Sequence, residues 1–196
     1  RRPETASIAA ALRTYRAVVR IEEPGTLDGG DVLGLGTRIY VGLSGRSNSA
    51  AVAQLGALVE PHGYSVTGVA VTGCLHLKSA VTEVAPGTIL VNPAWVDPDV
   101  FGDVDVVEVD PSEAYAANGL LLRVVQGIPA LSEAPGSTLR AEGSPARPTL
   151  IYPASFPRTR RILEARGIPL DIVDVSELQK AEGAVTCCSL ILAIAP

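Results

Sequence analysis

The sequence predicts an α/β protein in which strand–strand–helix–strand modules repeat around a common axis. Three observations predict it. Short β-branched runs alternate along the chain with apolar residues at helical spacing. The order strand, strand, helix, strand recurs at roughly 40–70 residues, which marks a repeat architecture. Of the 196 residues, 47% are hydrophobic and 19% charged, which supplies a core and argues against disorder. Residues 1–196 read as one domain, or as one domain with a part missing, since roughly 100–200 residues make one.

Ile8, Ala9, Leu12 and Tyr15 are spaced for a helix over 6–18, ended by Pro24-Gly25. Leu27-Asp28-Gly29-Gly30-Asp31-Val32-Leu33 leads into a strand over 38–43. A helix over 48–59 follows, with Ser47 or Asn48 as N-cap, and then an alternating strand over 64–71. The second round has strands over 75–84 and 88–91, a short helix or turn over 94–101 and a strand over 104–109. The third has strands over 119–125 and 149–152, a helix over 159–166 and a strand over 170–173. Residues 184–193, apolar and β-rich, open a fourth round. Residues 126–148 are rich in Gly, Pro, Ser, Ala and Glu and read as an inserted surface loop.

The net charge is −5, from 16 basic and 21 acidic residues. Nucleic-acid binding normally shows a basic excess, so that class is disfavoured. No run reaches the roughly 18 apolar residues of a membrane span, and 183–195 falls short of it. Arg1-Arg2-Pro3-Glu4 is not followed by the apolar stretch of a signal peptide. Cys74, Cys187 and Cys188 are too few for a disulfide framework and fit reduced thiols in the cytoplasm. The chain lacks Met and starts with Arg, and it is expected to be part of a larger one.

Asp28, His76, Asn118 and Cys187 open the successive rounds. Around an axis they converge, and a carboxylate, an imidazole and a thiol make a nucleophile–base–orienter set. Taken singly, Asp-Gly-Gly-Asp reads as a turn, and His76 in an apolar strand as a core residue. The Cys pair reads as inert packing. His62, in Pro61-His62-Gly63, reads as a loop residue. Cys74 would share a strand face with His76, as a buried small residue.

The order of the local motifs changes that balance. Thr26-Leu27-Asp28-Gly29-Gly30-Asp31-Val32-Leu33, Val41-Gly42-Leu43-Ser44-Gly45-Arg46-Ser47-Asn48, Leu75-His76-Leu77-Lys78-Ser79 and Thr186-Cys187-Cys188-Ser189 resemble the dimethylarginine dimethylaminohydrolase family. That family is part of the guanidino-group-modifying (pentein) superfamily. The resemblance runs from Arg1 to about Leu192, broken at 126–148. It implies a pentein-type propeller of five blades, of which this chain would hold the C-terminal two-thirds. It implies Cys187 as nucleophile, His76 as general acid/base and Asp28 as the carboxylate orienting the histidine. Arg46 and Arg1 would bind the substrate, with Ala181 contributing a backbone carbonyl. Cys188 would face the other side of its strand.

The implied reaction is hydrolysis of a methylated arginine to citrulline and an alkylamine through a covalent thiouronium on Cys187, with no metal or organic cofactor. Zinc on Cys187 and His76 would be adventitious and inhibitory. The partner is a small guanidino compound, with neither nucleic acid nor membrane. The acidic residues that grip the guanidinium would lie in an N-terminal part outside this chain. The chain alone is therefore expected to be inactive and to pair with that part or with another copy. Deimination of arginine, another guanidino hydrolase or amidinotransferase, and a non-catalytic binding pentein remain the alternatives.

Overall fold

The computed structural model describes residues 2–15, 17–122, 148–187 and 189. Arg1, Cys188 and nearly all of the 126–148 loop lie outside them. Among the described residues, nine strands form three sheets with one connectivity, each an antiparallel pair extended by a parallel strand. The first sheet is β1 (Val32–Leu35), β2 (Arg38–Leu43) and β3 (Ser65–Ala70), the second β4 (Val81–Ala85), β5 (Thr88–Val91) and β6 (Asp105–Glu108). The third is β7 (Leu120–Leu122), β8 (Thr149–Pro153) and β9 (Leu170–Val173). The predicted strand–strand–helix–strand repeat is thus present three times.

The crossovers follow from local chemistry. The β1–β2 and β4–β5 hairpins turn at Gly36 and Gly87, whose φ angles of 61° and 74° suit glycine. Helix α2 (Ser49–Val59) starts at Asn48, whose Oδ1 accepts the Ala51 N–H at 3.0 Å. Between β5 and β6 a 3₁₀ turn covers Pro98–Phe101. Helix α4 (Pro157–Ala165) has proline in its first turn, and Glu113 accepts the N–H groups of Arg158 and Thr159. Helix α1 (Arg2–Leu12) ends earlier than the predicted 6–18.

The strand predicted over 75–84 is divided. Residues 73–76 bend, α3 (Leu77–Ala80) makes one helical turn, and only then does β4 begin. His76 is therefore the N-cap of a turn, and Cys74 shares no strand face with it. Its thiol instead donates to the His76 carbonyl at 3.3 Å. Of the strand predicted over 184–193, residues 185–187 form a turn, so Cys187 stands on a turn, while 188 and 190–193 lie outside the described residues. A last short helix, α5 (Ser176–Gln179), precedes it.

Two buried clusters flank the middle sheet. Leu33, Tyr40, Leu77, Ile89, Val91 and Phe101 pack on one side. Val84, Leu90, Val107, Leu150, Tyr152 and Leu163 pack on the other. Neighbouring residues of β5 face opposite clusters, as strand alternation requires. Among the described residues no helix is long and apolar enough to cross a membrane.

Candidate active site

The segments of Asp28, His76 and Asn118 each sit just ahead of the first strand of a module. Asp28 caps the 3₁₀ turn before β1 and accepts the Gly30 N–H at 3.0 Å. His76 caps α3 before β4. Asn118 lies two residues before β7 and is buried. Inner residues of β1, β4 and β7 line a common cleft of about 340 Å³, which also receives Lys78, Thr186 and Ser189. Asp28, His76, Asn118 and Cys187 do not themselves line this cleft, and loops and turns rather than strands carry them.

His76 Nε2 is buried and stands 3.4 Å from Asp28 Oδ2. Gly30 packs flat on the imidazole, so closely that a Cβ there would fall 2.6 Å from Cγ. Burial alone would raise the Asp28 carboxyl. The Gly30 N–H, the facing imidazole and the Arg46 guanidinium outweigh that and hold it below the usual carboxylate range. The Arg46 guanidinium lies 3.7 Å from the same Oδ2 and is 39% exposed. Asp28 thus pairs with the histidine on one side and meets a solvent-facing cation on the other.

Asn118 brings the cysteine segment to the histidine segment. Its Nδ2 donates at 2.8 Å both to the Lys78 carbonyl, two residues after His76, and to Thr186 Oγ1, next to Cys187. Its Oδ1 accepts the Thr186 N–H at 3.3 Å. The exposed Cys187 sulfur receives the Ala184 N–H at 3.0 Å and lies 3.2 Å from the Ala184 carbonyl. Burial pushes the Lys78 ammonium below its ordinary range, against the opposing charges of Asp28, Cys187 and Asp31. Burial pushes the Cys74 thiol up, keeping it protonated and unsuited to attack.

Asp28, His76 and Arg46 therefore meet directly, and Cys187 is tied to them through Asn118. Ala181 is exposed on the turn after α5, its N–H donating to the Leu178 carbonyl. Arg1 is outside the described residues. Sequence reasoning missed Asp31, a fully buried carboxylate bonded to Ser44, Ser47 and the Leu77 N–H. No signal in the linear pattern singles it out, because its partners lie at Ser44, Ser47 and Leu77. Among the described residues no group of three His, Cys, Asp or Glu is placed to hold a metal ion.

The chain is 39% identical over 193 residues to a protein of Streptomyces coelicolor named N(G),N(G)-dimethylarginine dimethylaminohydrolase, a match covering 98% of this chain and 65% of that protein. It is 31% identical over 192 residues to the Pseudomonas aeruginosa protein of the same name, covering 97% and 66%. Over nearly its whole length the chain is similar to the dimethylarginine dimethylaminohydrolase family. It spans about two thirds of the length of these curated relatives. Among solved structures, a mutant of the P. aeruginosa family member complexed with citrulline superposes with a TM-score of 0.75 at 31% identity. That match covers 95% of this chain and 64% of the other. An inosamine-phosphate amidinotransferase of Streptomyces griseus, 17% identical, shares the fold with a TM-score of 0.62 over 85% of this chain and 46% of its own. The family thus places the three modules in the pentein fold. No protein-family model matches the chain.

Proposed function

We propose that this site hydrolyses an N-omega-methylated arginine to citrulline and an alkylamine. The observation that carries the reading is the Asp28–His76 pair, 3.4 Å apart, bound through Asn118 to the turn that presents Cys187. It is supported by the family relationship and by citrulline bound to the P. aeruginosa relative.

A guanidinium carbon is a poor electrophile, so it needs a soft, strong nucleophile, and the Cys187 thiolate supplies one. The sulfur bonds to that carbon. The C–N bond to the alkylated nitrogen then breaks, and the departing amine takes a proton from His76. A thiouronium remains on Cys187. His76 next takes a proton from water, whose oxygen bonds to the same carbon. The C–S bond breaks, returning the thiolate and releasing citrulline. Proton transfer of this kind contributes about 10²–10⁴ in rate. Asp28 Oδ2 stands 3.4 Å from the buried Nε2 without a hydrogen bond in this structure, and its negative charge faces the imidazolium that forms.

Arg46 can turn its exposed guanidinium from Asp28 to the carboxylate of an amino-acid substrate. Arg1 and the Ala181 carbonyl complete the binding set in this reading. The chemistry requires no metal or organic cofactor, and zinc held by Cys187 and His76 would inhibit it. A thiol nucleophile needs a reducing compartment, which we assign to the cytoplasm.

The test is citrulline release from asymmetric dimethylarginine and from arginine by the intact protein, with Cys187→Ser as control. Release from dimethylarginine, abolished in the Ser variant, is expected. Absence of citrulline from every guanidino substrate would overturn the reading.

A further inference from the structure

We infer that Asp31 is the positioning residue of this site, a single buried carboxylate that holds the segments bearing Asp28, Arg46 and His76 in one arrangement. The inference rests on the hydrolase reading above and adds to it a residue that contacts no reacting atom.

The argument lies in the direction of the hydrogen bonds. The Asp28 N–H donates to Ser47 Oγ at 2.9 Å, and Ser47 passes its own hydroxyl proton to Asp31 Oδ2 at 2.7 Å. The Arg46 N–H donates to Ser44 Oγ at 3.0 Å, and Ser44 donates to the same Oδ2 at 2.7 Å. The Leu77 N–H, immediately after His76, donates to Oδ1 at 3.0 Å. Three chains of donors, starting at or next to three site residues, therefore end on one fully buried side chain.

Only an acceptor-only group can terminate all three. A carboxylate offers about four lone-pair directions and no proton. An asparagine whose oxygen keeps the Leu77 N–H turns its NH₂ toward two hydroxyls that are themselves donors. Each serine would then face two N–H groups with no acceptor for its own proton, and buried polar groups so left are costly. A longer acid has no room, because the Gly42 face lies against Oδ1, with a Cβ built there only 2.9 Å away.

The experiment compares Asp31→Asn, Ser47→Ala and Ser44→Ala in the intact protein. Leu163→Ala, in the distant cluster, serves as a control for lost stability alone. Steady-state citrulline formation is measured together with the NMR resonances of the His76 ring. Asp31→Asn should remain folded by circular dichroism and lose about 10²-fold in kcat, as a displacement near 1 Å can cause. Ser47→Ala, which cuts the branch to Asp28, should lower kcat. Ser44→Ala, which cuts the branch to Arg46, should mainly raise KM.

The inference is overturned if folded Asp31→Asn keeps kcat within about twofold of wild type, far short of the loss that misplacement causes. It is also overturned if its loss merely tracks the folded fraction, as in Leu163→Ala. Should Asp31→Asn fail to fold, the serine variants decide, and wild-type kinetics in both would end the proposal. If the wild type itself yields no citrulline, the functional reading fails separately. The His76 ring resonances then judge Asp31: a shift in Asp31→Asn and Ser47→Ala supports positioning, and unmoved resonances refute it.

Discussion

Gly30 separates space from conformation at the scale of one residue. Its φ is not among the positive glycine values of the chain, so no backbone requirement selects glycine there. What selects it is the His76 ring, whose Cγ and Cδ2 would lie 2.6 and 2.7 Å from a Cβ. Gly30→Ala should push the imidazole off Asp28 and cost about 10²-fold in kcat while the fold survives. Citrulline assay and a thermal melt check this, and a fully active Gly30→Ala would show that the ring tolerates displacement. The motif made Asp28 and His76 legible because their roles depend on residue type and order. Asp31, three residues after Asp28, was not legible. Its partners are scattered at Ser44, Ser47 and Leu77, and nothing in a linear pattern says which aspartate turns inward.

Among elements, those with local punctuation were read correctly and those fixed by distant contacts were not. Asn48 announces α2, and the β8–α4–β9 order follows from apolar runs and turn residues. The run from Leu75 to Val84 looks like one strand, yet its first part is bent into α3 because Asp31 takes the Leu77 N–H from 46 residues away. Tertiary contact overrides the strand pattern there. A similar long-range tie serves the segment leading to Asn118. The buried Tyr152 of β8 donates its hydroxyl to the Ala116 carbonyl at 2.8 Å. Burial pushes that phenol far above its ordinary range, so it stays a donor. Tyr152→Phe leaves the carbonyl unpaired and should cost about 1–3 kcal/mol. Urea melts measure this, and a variant as stable as wild type would mean that Ala116 finds another partner.

Across the whole molecule, the middle sheet decides whether the modules stand or fall together. Ile89 and Leu90 are consecutive and both fully buried, yet they belong to opposite clusters. No module closes its core alone, since β5 serves two of them, and nearest-neighbour packing of this kind couples repeats. Trp95, the only tryptophan in the sequence, packs against the cluster containing Ile89 and so reports on the side away from Leu90. Leu90→Ala removes side-chain volume from the other cluster and should cost about 2–5 kcal/mol. If the modules unfold as one, the urea midpoint seen by Trp95 fluorescence must fall as far as that seen by far-ultraviolet circular dichroism. Coincident transitions are the test of a two-state molecule. A Trp95 midpoint that stays at the wild-type value while the dichroism midpoint drops would show separate melting. The Asp28–His76 pair would then survive the loss of the module that supplies Asn118, and the site would depend on inter-module packing less than its geometry implies.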